Sequence, residues 1–550
     1  MLSPFFLYKG EMTMELDFLG ADHEVTGSCH YLKVGEKHIL LDCGMEQGAD
    51  IYENQEIPVN AAMIDYVFVS HAHIDHSGLL PLLYARGFRG TIFATEATCE
   101  LCSIMLRDSA HIQEFEAEWK NRKARRAGRQ EVVPLYSMDD ALGAISLFSS
   151  CPYHEKMKIC DEISVRFIDA GHLLGSSSIE LWLTEEGQTV KLVFSGDIGN
   201  PMKPLIKNPE YPTDADYVIM ESTYGDRVHE SPKNHDFAVA LAEIIEKTIR
   251  GGGNVVIPAF SVGRTQEILY FIRRIKEEEL VSSDVISFPV YMDSPLAVEA
   301  THVFNENVSE CFDEEALSLV REGINPIGFP GLKVAVSSDE SKQINADHQP
   351  KVILSASGMC EAGRIRHHLK HNLWRKECSI VFVGYQVPGT LGHSLLNGAK
   401  EVRLFGETVE VNASIENLPG ISGHADKNGL LDWVSHFDPG VQKVFIVHGD
   451  SSVVDGFAAA VQEKTGFEAY APYSGDSFEL LSGEQVKEGS KIALKPKKSS
   501  SGKASSNVFE RLYAAGQRLL SVISKCEGMA NKDLAKFADQ INALSDKWDR

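Results

Sequence analysis

Residues 67–80, Val67-Phe-Val-Ser-His-Ala-His-Ile-Asp-His-Ser-Gly-Leu-Leu80, place three histidines and an aspartate within six positions directly after an apolar β-branched run. The whole chain holds 20 histidines in 550 residues, so three in one hexad ask for a chemical reason. His71, His73 and His76 offer imidazole nitrogens and Asp75 a hard carboxylate, a donor mix that suits Zn²⁺. Alternation lets His71 and His73 face one ion while Asp75 and His76 reach a second beside it. Two ions need further ligands. The ends of other expected strands offer them: His172 in FIDAGHLLGSSSIEL, Asp197 in LVFSGDIGN and His448 in FIVHGD. Each alone reads first as a cap or turn residue, but together they complete the ligand count. Asp197 is suited to bridge the ions, and a bridging hydroxide is a strong nucleophile at neutral pH.

Composition bounds the setting. At this length about two to four domains are expected, each able to bury a core. No apolar run is long enough to span a bilayer, and the N-terminal MLSPFFLYKG lacks the order of a signal peptide. Ten cysteines without a disulfide-like framework fit a reducing compartment, so a cytoplasmic location is expected. Cys99 and Cys102 form an isolated C-x-x-C in a helical stretch and read as packing residues. The net charge of −25, from 53 basic and 78 acidic residues, excludes a general polyanion binder. Any polyanion must be drawn in by metal ions and local basic clusters.

From Met14 to about Asn200, short β runs end on Gly, Asp or His, as in HILLDCG, YVFVSH and KLVFSGD, with helical spacing mainly at 79–87 and 96–120. This predicts a β-rich layered domain with helices outside. From about Pro212 to Leu396, strands such as NVVIPAF, VILSAS and SIVFVGY alternate with amphipathic helices, the pattern of βαβ units and a parallel sheet. The expected domains are 14–211 and 397–493 as two parts of one layered unit, with 212–396 inserted between them. A Lys/Ser/Gly-rich linker follows over 494–507. Helical spacing around Gly528 predicts a hairpin over 508–550 that docks on the body or on another subunit, and a homodimer is expected.

HAHIDH, the histidine of AGHLLGSSSIEL and the aspartate of SGDIGN resemble the ligand motifs of the metallo-β-lactamase fold. The long excursion before His448, with ESTYGD at 221–226 and SGHAD at 422–426, resembles the β-CASP nucleases, and the chain reads as a bacterial relative of them. That group includes the nuclease subunit of the pre-mRNA cleavage and polyadenylation machinery and ribonuclease J. The resemblance implies an α/β fold: a metallo-β-lactamase αββα sandwich with an inserted β-CASP domain. It implies two Zn²⁺ per chain, one held by His71, His73, His172 and Asp197, the other by Asp75, His76, Asp197 and His448. Asp42 in HILLDCG matches the aspartate that supports the ligand loop from behind. Catalytic roles fall to Asp75, His424 and Glu221, with His424 protonating the leaving oxygen or stabilising its charge and Glu221 orienting His424. SGHAD by itself also reads as a helix N-cap.

A two-ion hydroxide site serves a lactam, a thioester or a phosphodiester equally, so the inserted domain must choose the substrate. Three strand–helix joins there carry small or hydroxyl residues: Ser261 to Thr265, Ser355 to Gly358, and Tyr385 to Gly392. In a parallel sheet these joins share one edge, where backbone N–H groups cradle phosphate. The candidates are Ser261, Arg264, Thr265, Ser355, Ser357, Gly358, Arg364, Thr390 and Gly392, with the arginines adding bidentate contacts. In the resembling group, RNA-processing members keep the last histidine, so His448 favours RNA over DNA. The expected function is a zinc-dependent ribonuclease that cuts single-stranded RNA through the bridging hydroxide and leaves 5′-phosphate and 3′-hydroxyl ends. Endonuclease and 5′-exonuclease modes both remain open. A DNA nuclease and a thioester or lactone hydrolase of the same fold are the alternatives. The basic run Lys120–Arg129 reads as a solvated helix end, and His367, His368 and His371 as surface or phosphate-proximal.

Overall fold

The β-branched runs of the first 200 residues pair into two stacked sheets. In the computed structural model, residues 14–47, 54–126, 131–201, 203–229, 236–418 and 422–491 are described, with 515–516, 519–520, 522–523, 526 and 531–548 beyond them. The first sheet has eight strands in the order Gln485–Lys487, Ser477–Glu479, Glu15–Gly20, Cys29–Val34, Lys37–Leu41, Tyr66–Phe68, Thr91–Thr95 and Phe148–Cys151. The second has seven: Ala469–Tyr470, Lys443–Val447, Tyr217–Glu221, Gln188–Phe194, Ser177–Glu185, Ile163–Asp169 and Met157–Lys158.

Residue alternation in Lys443–Val447 shows how the layers form. Phe445 and Val447 point into the core shared by the sheets, whereas Val444 and Ile446 pack beneath Leu430, Trp433 and Phe457 of the helices Lys427–Val434 and Val454–Thr465. Phe445 lies 4.9 Å from the Phe18 ring of the other sheet. On the far side, the helices Leu80–Ala85 and Glu96–Arg126 cover the first sheet. The αββα sandwich implied by the resemblance is therefore present.

The inserted domain is built on six parallel strands in the order Leu332–Val334, Val290–Asp293, Val352–Ser355, Val255–Pro258, Ser379–Phe382 and Ser414–Asn417. The three central strands are buried at every position, as a parallel sheet with helices on both faces requires.

Two expected boundaries move. Tyr217–Glu221 falls on the insertion side of residue 212, yet it pairs in parallel with both Gln188–Phe194 and Lys443–Val447 of the sandwich. Ser414–Asn417 falls beyond residue 396, yet it closes one edge of the inserted sheet. A fully apolar parallel strand looks the same in either sheet, so periodicity cannot say to which one it belongs. The chain thus leaves the sandwich after one strand and returns on its neighbour, which sets Glu221 opposite Val447.

The helix Asn531–Trp548 is present, with Leu544 and Trp548 exposed. The expected linker and most of the hairpin's first arm lie outside the described residues. Lys120, Arg122 and Arg125 pair with Glu116, Glu118 and Glu131 at the exposed end of the long helix, and 127–130 are outside the described residues. The cysteines of the chain are free, and Cys102 is buried in the core. Among the described residues no helix is long and apolar enough to cross a membrane.

Candidate metal centre

The parallel strands Lys37–Leu41 and Tyr66–Phe68 end side by side, Leu41 opposite Phe68, so Asp42 and Ser70 leave the sheet together. Asp42 Oδ1 accepts the Ser70 N–H at 2.8 Å, and its Oδ2 sits 2.7 Å from His76 Nδ1. The hexad turns through one helical turn, Ile74–Ser77, which brings His76 back over Asp42 while His73 points the other way. The His172 and Asp197 loops then pass in contact. Gly199 N donates to Ala170 O at 2.7 Å, and a side chain at Gly199 would fall 1.8 Å from Gly171 O, so only glycine allows this approach. Asp42 and His448 hold φ of +56° and +50°, a cost that functional sites commonly carry.

All seven expected ligands come together. His71, His73, His172 and Asp197 form one group, and Asp75, His76 and His448 form another, each with its donor atoms within 4.8 Å of one another. In the first, His73 Nδ1 lies 3.0 Å from His71 Nε2 and 3.2 Å from His172 Nε2, and Asp197 Oδ2 lies 3.5 and 3.6 Å from the latter two. In the second, His76 Nε2 lies 3.1 Å from His448 Nε2, which lies 3.7 Å from Asp75 Oδ2. Asp197 Oδ1 is 3.3 Å from His76 Nε2. One carboxylate therefore faces both groups.

The donor set fits a pair of zinc ions. Ligands about 2.0–2.1 Å from a tetrahedral ion are about 3.4 Å apart, the spacing found here. Asp197 is buried with one oxygen facing each group, an arrangement that suits a carboxylate shared by two ions. Burial holds His71 and His172 well below the usual histidine range and His73 at about 4, so all three are neutral and offer lone pairs. Asp75 is ionised: burial opposes this, but His448 and His76 hold its carboxyl at about 2. His76 is the exception. Against burial, Asp197 and Asp42 raise it well above the usual value, so it carries a proton that an ion must displace.

His424 lies at the rim of the first group. Its Nδ1 is 3.1 Å from Glu221 Oε1 and 3.8 Å from Asp197 Oδ2. Burial would lower its pKa, but Glu221 and then Asp197 bring it to about 9. The result is an imidazolium beside a metal-type cluster.

Sequence comparison agrees with this geometry. Residues 24–92 match the metallo-beta-lactamase superfamily, 265–395 the Beta-Casp domain and 408–472 the Zn-dependent metallo-hydrolase RNA specificity domain. Ribonuclease TTHA0252 of Thermus thermophilus is 37% identical over 432 residues, 78% of this chain and 92% of that protein. The chain belongs to the β-CASP family of the metallo-β-lactamase superfamily. Further similar proteins are the transcription termination factors FttA of Methanosarcina mazei, 31% identical over 84% of this chain and 71% of that protein, and of Methanocaldococcus jannaschii, 28% identical over 86% and 72%. As a β-CASP protein, the chain is a metal-dependent hydrolase.

In the β-CASP domain, the three joins share one edge and pack on one another. Gly358 lies against Phe260, the residue before Ser261, Gln386 donates to Gly358 O at 3.1 Å, and Gly392 N donates to Met359 O at 3.2 Å, while Ser261 Oγ is 3.1 Å from Ser294 Oγ of the neighbouring strand–helix turn. Ser261, Ser357 and Thr390 are partly exposed there. Other candidates serve the scaffold. Ser355 and Thr265 are buried and donate to Asp293 O and Phe260 O, and Gly358 and Gly392 are buried as well. Arg364 donates to Asp293 at 2.7 Å and to the carbonyls of Ala335 and Val336, and Arg264 to Glu267. His368 is not a surface residue: it is fully buried, 2.6 Å from Asp293, whereas His367 and His371 are exposed.

Sequence reasoning missed three residues around the cluster. Ser70 anchors Asp42, and Thr223 Oγ1 lies 3.2 Å from His448 Nδ1. Lys203 donates to the carbonyl oxygen of His172. Thr223 sits inside the ESTYGD motif, which was its signal; the other two have none.

Proposed function

We propose that the protein is a zinc-dependent ribonuclease that hydrolyses phosphodiester bonds of single-stranded RNA and leaves 5′-phosphate and 3′-hydroxyl ends. The observation that carries this reading is the meeting of seven metal-type ligands with the His424–Glu221 pair, beside a sheet edge of hydroxyl-bearing joins. The similar ribonuclease and the RNA specificity domain favour RNA as the substrate.

Two Zn²⁺, held by the two groups with Asp197 shared, would supply charge neutralisation and an activated water. The chain's own groups do the rest. Asp42 fixes the His76 tautomer, and the Gly423 carbonyl, 3.2 Å from His172 Nδ1, leaves His172 Nε2 for the ion. Glu221 holds the Nδ1 edge of His424, so Nε2–H is the proton delivered to the leaving 3′-oxygen. Ser261, Ser357 and Thr390 position the strand by its phosphates at the β-CASP edge. A cytoplasmic, homodimeric enzyme completes the proposal.

The test uses end-labelled single-stranded RNA and the matching DNA, incubated with the zinc-loaded protein and with His73→Ala and Asp197→Ala. RNA cleavage that both substitutions abolish is expected. Intact RNA with wild type, or equal cutting by the variants, overturns the reading; cleavage of DNA alone assigns a DNA nuclease.

A further inference from the structure

Between Asp197 and the strand Tyr217–Glu221, the segment Lys203–Lys207 leaves the metal loop and lies on the β-CASP domain. Ile206 bridges to Phe312, Lys207 N donates to Cys311 O at 3.0 Å, and Leu205 exchanges hydrogen bonds with Asp313, its N–H reaching Oδ2 and its carbonyl accepting the Asp313 N–H. Leu205 is buried at φ +84°, a conformation a leucine keeps only where its surroundings impose it. The seam is therefore docked firmly.

At the head of this segment stands Lys203, which is buried with only 9% of its surface exposed. Its Nζ donates to the backbone carbonyl of His172 at 2.6 Å and lies 3.2 Å from Glu267 Oε1. Glu267 is in the first turn of the helix Arg264–Glu277, which starts at the join carrying Ser261, and its other oxygen accepts from Arg264. At the same place Gly263 approaches Leu173, the neighbour of His172, so closely that a side chain would meet it at 2.9 Å. One ammonium group thus touches the main chain of an expected metal ligand and the first turn of the helix that presents the phosphate edge.

We infer that the Lys203–Glu267 pair is a positioning link that registers the β-CASP domain against the His172 loop, so that docking of the inserted domain sets the geometry of the first metal group. This rests on the metal reading of His172. A buried ion pair is a poor source of stability, because two apolar side chains of similar size often serve as well. A carbonyl held by an ammonium is different: no apolar side chain replaces that bond. Both groups lie outside the ligand set and act through His172 and the helix start.

The experiment compares wild type with Lys203→Met, Glu267→Gln and the double variant Lys203→Met/Glu267→Met. Zinc affinity is read by chelator competition, ligand geometry by the visible spectrum of the cobalt-substituted protein, and fold by the Tm of the metal-free protein. Lys203→Met should bind one of its two ions about tenfold more weakly, with an altered cobalt spectrum. The double variant should regain the metal-free Tm but not the affinity or the spectrum. Glu267→Gln, which keeps size and an acceptor, should fold normally and raise KM for RNA more than it lowers kcat. Wild-type affinity and spectrum in Lys203→Met, or affinity that returns in step with Tm in the double variant, overturns the proposal, as does an unchanged KM in Glu267→Gln. Zinc and cobalt are read without RNA, so an inactive wild type sinks the substrate reading and leaves the Lys203→Met and double-variant arms to decide this proposal.

Discussion

His424 Nδ1 lies 3.1 Å from Glu221 Oε1, and that same oxygen accepts the N–H of Ile198, the residue after Asp197, at 2.6 Å. A group that presents a proton is therefore braced against the backbone beside the shared carboxylate. Strand pairing explains the meeting: Tyr217–Glu221 lies next to Gln188–Phe194, which ends just before Asp197.

If His424 delivers the proton to the leaving oxygen, His424→Ala should lower kcat by about 10²–10⁴-fold while two zinc ions stay bound. The loss should nearly vanish on a phosphodiester whose leaving group is a nitrophenolate, which needs no proton. Measuring both substrates side by side decides it: an equal loss on each removes His424 from the proton-transfer role.

Metal uptake should depend on pH in a set direction. His76 is held protonated above its ordinary 6.5 by Asp197 and Asp42 once burial is overcome, so filling the second group releases its proton. Zinc affinity there should rise as pH increases above 6.5. Titration calorimetry in buffers of different ionisation enthalpy should detect close to one proton released by the ion that fills the second group. Proton-neutral binding would contradict the assignment.

Asp42 tests the tautomer argument. As a carboxylate it accepts from His76 Nδ1–H and from the Ser28 and Ser70 hydroxyls. In Asp42→Asn, an amide N–H turned to His76 would favour the opposite tautomer, with the proton on the ligand nitrogen Nε2. Zinc affinity should fall by about 10–100-fold with little change in fold. Dialysis against a graded chelator, followed by metal analysis, would show two tightly held ions if the argument is wrong.

These residues differ in how legible they are in the chain. Strand-end candidates such as His172, Asp197 and His448 stand out because an apolar run stops abruptly on a donor, and order along the chain does the rest. Asp42 is visible for the same reason. Lys203 and Ser70 are not, since a lysine after a proline-rich turn or a serine before a histidine has meaning only once two loops have been packed together. His368 misled for a related reason: on a helix reading IRHHLKHN, helical spacing alone does not say which of three histidines faces inward. The boundary near 212 failed because apolar parallel strands carry no label for their sheet. Local chemistry was readable; partners distant in sequence were not.

The buried Asp293 makes the last prediction. Its side chain accepts from Arg364 at 2.7 Å, from Ser341 at 2.6 Å and lies 2.6 Å from His368 Nε2, which joins the end of the strand Val290–Asp293 to the helices Ser338–Ala346 and Ile365–Asn372. Burial alone would raise its pKa, but His368, Ser341 and Arg364 together hold it below the ordinary 3.8. A carboxyl whose folded pKa is depressed contributes stability above its unfolded value, and the contribution is lost as pH falls from there through the folded value. Asp293→Ala leaves the partly exposed Arg364 guanidinium with only its carbonyl acceptors and the buried His368 without its carboxylate, and should cost about 1–3 kcal/mol at neutral pH. The gap between wild type and the variant should shrink as pH falls below 3.8. Urea unfolding monitored across that range checks it, with the exposed Trp374 of the same domain as a local probe. A gap that persists unchanged at pH 3 would mean that Asp293 acts through packing and not through its charge.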